Sequence, residues 1–142
     1  MTPRTELPRP HDDAWRWRFD CRDALAVIEV RLAVRDDLDV IDGIEIDSFT
    51  ADRFARRNLR RMLAARKTLF LLARIGGEPA GYLALAFRRG SAISRIYSIA
   101  VAPDHRGVGV AQALLAAATD LTARRGCGKI QLEVRKSNTK AI

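Results

Sequence analysis

From Val30 onward, apolar positions recur with two distinct periods, and the switches between them mark out successive elements. Val30 to Val34 reads as a short strand. Asp36 and Asp37 then supply capping residues for a helix whose Leu38, Ile41 and Ile44 fall on one side. A second helix is predicted from about Ala51 to Arg66. At about 100° per residue, Arg53, Arg56, Arg57, Arg60 and Arg61 share one arc, and Phe54, Ala55, Leu59 and Met62 the opposite one. Strands are expected at Thr68 to Ile75, Ala80 to Phe87 and Ser94 to Ala102, the first two joined by the turn signal Gly76-Gly77-Glu78-Pro79. A helix from Val110 to Arg125 is predicted to bury Ala111, Leu114, Leu115, Ala118 and Leu121, with Gly126 as its stop. Ile130 to Val134 reads as a strand and Asn138 as the cap of one more helix. The order β-α-α-β-β-β-α-β predicts an α/β fold on a mixed (α+β) sheet.

Residues 1–29 predict no element: Trp15, Trp17 and Phe19 stand among charges, and the segment is set apart as an N-terminal extension of unknown role. Residues 30–142 then form the domain, a length that buries a real core. Neither a signal core nor an apolar run near the ~18 residues of a membrane span is present, so no membrane partner is expected. Cys21 and Cys127 define neither a disulfide framework nor a zinc cluster, and read as reduced thiols of a cytoplasmic protein without a metal.

Charge sharpens the picture through its distribution. Residues 1–66 hold 13 Lys+Arg and 13 Asp+Glu, whereas residues 67–142 hold 12 and 4, so the entire net charge of +8 lies in the second half. That half contains "SIAVAPDHRGVGVAQALLAAA", where Arg106, Gly107 and Gly109 stand between a strand and the first turn of a helix. Helix N-termini present orphan amides and a partial positive charge, and glycine lets a ligand come close to the backbone. An anion is expected there. A dinucleotide-binding turn is one reading, but Gln112 stands where its third small residue belongs, and residues 102–106 separate the strand from the first glycine. A nucleic-acid surface is another. Yet the aromatics of the basic half, Phe70, Tyr82, Phe87 and Tyr97, all occupy apolar strand positions, so no nucleic acid is expected.

Read from Arg106, the loop is Arg-x-x-Gly-x-Ala, ending at Ala111. With "RRGCGKIQLEVRKSNTKAI" downstream, the sequence resembles the GNAT superfamily of acetyl-CoA-dependent N-acetyltransferases, especially the bacterial ribosomal-protein alanine N-acetyltransferases. The resemblance implies the GNAT acyl-CoA N-acyltransferase fold and acetyl-CoA as the acetyl donor. It implies that Ile99, Ala100 and Val101 offer backbone groups to the pantetheine arm. Arg106, Gly107, Val108, Gly109, Val110, Ala111 and Gln112 would wrap the pyrophosphate, and Asn138 would also touch the cofactor. Glu133 matches the family's catalytic base. The family's acid, a tyrosine on the following helix, would lie beyond Ile142, as would two further strands. A C-terminally truncated enzyme is therefore expected, with an open edge at the strand Ile130 to Val134 that invites a homodimer.

The chemistry favours a protein or peptide N-terminal amine as acceptor. At pH 7 an α-amine of pKa ~7.7–8.0 is roughly 10–15% neutral, whereas a lysine of pKa ~10.4 is below ~0.1%. A small-molecule amine and a catalytically silent acyl-CoA-binding module remain the alternatives. Tyr97 reads as a packing residue, and His105 as an exposed loop residue or else as one facing the cleft. Arg53, Arg57 and Arg60 read as the wet side of their helix, or else as a surface for an acidic peptide.

Overall fold

The computed structural model describes residues 15–23, 25–49, 53–65 and 67–132. Among the described residues, six strands form one sheet in chain order: β1 (Arg16–Asp20), β2 (Val27–Leu32), β3 (Thr68–Ile75), β4 (Glu78–Phe87), β5 (Ile93–Val101) and β6 (Lys129–Leu132). β1 to β5 are successively antiparallel, and β6 runs parallel to β5. A parallel return needs a crossover, which the helix α3 (Val110–Arg124) supplies. The helices α1 (Leu38–Ser48) and α2 (Arg56–Ala64) lie between β2 and β3 in the chain.

The sheet separates two cores. Against α3, Ile28, Leu71, Leu83, Leu85 and Ile96 pack with Leu114, Ala117 and Leu121. On the opposite side, Ile41, Ile44, Leu59, Phe70, Leu72 and Tyr82 pack together. α3 seats closely on β4 because Gly81 has no side chain: a Cβ there would lie 2.7 Å from the Ala100 carbonyl oxygen and 2.9 Å from Val110 Cγ1. This contact sets the height of the α3 N-terminus over the sheet.

Several expectations need correction. The hydrophobic pattern did not indicate β1, which pairs with β2 from Arg16↔Arg31 to Asp20↔Val27 and joins residues 16–20 to the main sheet. β2 begins at Val27 and ends at Leu32, earlier than the expected strand. α2 is shorter than predicted, and Ala55 is its extended, exposed N-cap rather than part of the buried arc. In α3 the buried positions are Val110, Ala113, Leu114, Ala117, Ala118, Leu121 and Thr122, and Leu115 is exposed. The helix is so rich in alanine, which suits either face, that its pattern leaves the rotational phase poorly marked. Of the last expected strand, residues 133 and 134 lie outside the described residues.

Asp37 anchors the start of α1. Its carboxylate takes a fork from Arg31 Nη1 and Nη2, at 2.8 and 2.9 Å, and a 2.7 Å bond from the Val34 amide. Burial pushes this carboxyl group up, but the Arg31 pairing and the Val34 N–H outweigh it and hold the group below its ordinary range.

Candidate active site

The glycine loop follows β5 through a single 3₁₀ turn, Pro103–His105, closed by the His105 amide on the Ala102 carbonyl at 2.9 Å. His105 is not simply exposed: its Nε2 lies 3.3 Å from Glu78 Oε2. Arg106 then extends, and its Nε donates to the Val101 carbonyl at 3.3 Å, tying the loop back to the end of β5. Gly107 (φ 83°) and Gly109 (φ 107°) both occupy the left-handed region that side chains avoid. Gly109 is the N-cap of α3 and among the described residues no side chain caps the helix. The amides of its first turn therefore face an acceptor from outside the helix.

A Cβ at Gly107 would meet nothing within 4 Å, so one side of the loop is open to a ligand. Successive amides around left-handed residues at a helix N-terminus are a type of backbone that favours anions. Val110 is buried, and Ala111 is partly buried against the α3-side core, so their side chains fix the helix rather than reach outward. Gln112 and Arg106 are exposed.

β5 carries the second structural feature of the site. Its register with β4 steps from Ala84↔Ser98 to Leu85↔Ile96, leaving Tyr97 as an extra residue in a bulge. The bulge reverses which side chains face which core. Before it, Ser94 and Ile96 face α3, and Ser94 Oγ meets Thr122 Oγ1 at 2.8 Å. After it, Ile99 and Val101 face α3, while Ala100 joins the α1 side. The described pairing with β6 runs from Ile93↔Lys129 to Ile96↔Leu132, so it ends beside the bulge. Crevices at the carboxyl ends of parallel strands are favoured ligand sites, and this sheet has one parallel pair among the described residues. Glu133 and Asn138 lie outside the described residues.

A buried carboxylate that the sequence pattern passed over sits behind the bulge. Glu45 of α1 is fully buried. Its Oε1 accepts from the Tyr82 hydroxyl and, at 3.3 Å, from Ser98 Oγ, while its Oε2 accepts from the Phe54 amide at 2.8 Å. Tyr82 and Ser98 also meet each other at 2.8 Å. One carboxylate thus joins α1, β4, the post-bulge end of β5 and the segment leading into α2. The signal was present: Glu45 follows Leu38 and Ile41 by seven and four residues on the buried arc of α1.

The arginine arc of α2 divides. Arg56 pairs with Asp39 and Asp42 of α1, the latter at 3.3 Å, and so has a structural role. Arg53, Arg57, Arg60 and Arg61 are exposed. Burial, with Asp23 and Asp20 nearby, pushes the Cys21 thiol up, the opposite of an activated nucleophile. Among the described residues no three His, Cys, Asp or Glu side chains group to hold a metal ion, and no helix is long and apolar enough to cross a membrane.

Comparison with known proteins bears on the family and the fold. The profile of the Acetyltransferase (GNAT) family matches residues 32–142. An acetyltransferase of Pectobacterium atrosepticum is 32% identical over 119 residues, covering 81% of this chain and 82% of its own. The ribosomal-protein-S18-alanine N-acetyltransferase of Escherichia coli has a similar fold, with a TM-score of 0.70 at 24% identity, covering 80% of this chain and 71% of that one. The aminoglycoside acetyltransferase AAC(6')-Iy, solved with a bisubstrate analogue of coenzyme A, superimposes with a TM-score of 0.66 at 20% identity, covering 80% and 84%. By the family profile and the Pectobacterium relative, on a fold shared with these solved structures, the chain is a member of the GNAT acetyltransferase family.

Proposed function

We propose that the chain transfers the acetyl group of acetyl-CoA to a protein or peptide N-terminal amine. The observation that carries the cofactor half is the loop of residues 106–112, with two left-handed glycines and the uncapped start of α3. Its amides hold the pyrophosphate, and the end of β5 at Ile99, Ala100 and Val101 runs beside the pantetheine arm. Asn138 adds a contact to the cofactor, and Glu133 accepts the amine proton. Acetyl-CoA supplies the activated thioester; the chain supplies orientation and a proton acceptor. The acceptor half rests on the resemblance of the segment from Arg124 onward to ribosomal-protein alanine N-acetyltransferases, and on the larger neutral fraction of an α-amine at pH 7. A small amine is the second reading, favoured by the fold shared with an aminoglycoside acetyltransferase.

Gly109→Asp and Gly109→Ala together test the loop. Both force a side chain into a left-handed backbone at φ 107° and share that strain. Only the aspartate adds a negative charge beside the diphosphate. Isothermal calorimetry with coenzyme A should show Gly109→Asp binding at least about tenfold more weakly than Gly109→Ala, from repulsion at short range. Equal affinities would remove the pyrophosphate from this loop. Turnover with an alanine-initiated peptide against an aminoglycoside then separates the two acceptors.

A further inference from the structure

The β1–β2 turn, which precedes the segment that matches the family, touches the back of the glycine loop. The Arg22 amide donates to the Val108 carbonyl at 2.7 Å. The turn is itself closed by the Cys21 amide on the Ala26 carbonyl at 2.9 Å, and Cys21 is buried in the α3-side core with Ile28 and Val110. β1 is fastened to α3 as well. Trp17 Nε1 donates to Asp120 Oδ2 at 2.9 Å, and the Arg124 guanidinium lies 5.1 Å from the centroid of the Trp15 ring. The Arg22 nitrogen and Ile28 Cδ1 stand 4.0 and 3.8 Å from where a Gly109 Cβ would be, so the turn and β2 border the space beside Gly109.

Peptide geometry makes this contact directional. In a planar trans peptide the carbonyl and the following N–H point in opposite directions. Holding the Val108 carbonyl toward Arg22 therefore turns the Gly109 N–H away from the hairpin. Glycine lowers the steric resistance to rotation about φ of Gly109, so without this bond the peptide between Val108 and Gly109 is freer to flip.

We infer that the β1–β2 turn is a brace for the cofactor loop, with the Arg22 backbone amide as a positioning group that orients the Gly109 N–H toward the pyrophosphate of coenzyme A. The inference rests on the loop assignment above. Preorganised donors bind an anion without a reorientation cost, so losing the brace weakens coenzyme A binding. The Arg22 side chain is not needed for this, because the donor is the main chain.

Arg22→Pro removes the N–H, and Arg22→Ala retains it while also losing the guanidinium. Calorimetry with coenzyme A should show the proline variant binding about tenfold more weakly than the alanine variant, in samples matched by far-UV circular dichroism. Coupling is reciprocal, so the same bond should open less often when the loop is occupied. In the unaltered chain, hydrogen exchange at the Arg22 amide should slow by up to about tenfold on saturation with coenzyme A. That measurement needs no variant, and it decides the question even where the proline variant does not fold. Equal affinities of folded proline and alanine variants, or an Arg22 amide that exchanges equally fast with and without coenzyme A, would overturn the brace while leaving the loop assignment intact. Absence of coenzyme A binding by the unaltered chain would overturn both.

Discussion

Glu133→Gln is expected to lower kcat by about 10²–10⁴-fold with little change in the affinity for coenzyme A. An amine attacks a thioester only as the free base, and the nitrogen gains positive charge as the new bond forms. A carboxylate placed to receive that proton, directly or through water, lowers the barrier. Glutamine keeps the size and polarity of the side chain and removes its basicity, so the loss falls on turnover rather than on binding. Glu133 directly follows Leu132, the residue of β6 that pairs with Ile96 just before the Tyr97 bulge. Thiol release from acetyl-CoA with an alanine-initiated peptide or an aminoglycoside reads kcat, and calorimetry reads the affinity. Wild-type turnover in the glutamine variant would take Glu133 out of the chemistry.

Glu45→Ala is expected to destabilise the fold by roughly 3–5 kcal/mol, lowering the melting temperature by about 10–15 °C. The substitution takes away the acceptor shared by the Tyr82 hydroxyl, Ser98 Oγ and the Phe54 amide, and it leaves a void in a fully buried position. Glu45→Gln retains an acceptor oxygen and nearly the same volume, so it should cost distinctly less. Thermal denaturation of both variants checks this. A Glu45→Ala chain melting within a few degrees of the unaltered one would show that the carboxylate does not hold these elements together.

The elements that build the site were largely legible in the sequence, and the exceptions have physical reasons. Thr68–Ile75 was read to the residue because it is a long apolar run closed by a Gly-Gly turn. The start of α3 was legible because Gly107 and Gly109 occupy a defined place between strand and helix. β1 was missed although Trp15, Trp17 and Phe19 alternate with Arg16, Arg18 and Asp20 as a half-buried strand should. The high charge of the segment hid that period, and only its pairing with β2 and its contact with α3 make it a strand. The reversal of facing at Tyr97 was illegible for another reason. A bulge inserts one residue into a period of two, and an apolar run such as Ile99–Val101 reads alike in either phase. Glu45 was passed over because a carboxylate on a buried arc becomes meaningful only once its partners, from β4, β5 and the approach to α2, are known to converge on it.

The central claim is that residues 106–112 receive the pyrophosphate of coenzyme A, and amide chemical shifts test it most directly. In a titration of the ¹⁵N-labelled chain with coenzyme A, the largest changes should fall at the amides of Arg106 to Gln112, with smaller ones along Ile99 to Val101. Desulfo-coenzyme A, which keeps the pyrophosphate and lacks the thiol, should reproduce the changes in the loop. Saturable binding whose shifts fall on another part of the sheet and leave the loop amides unmoved would contradict the account.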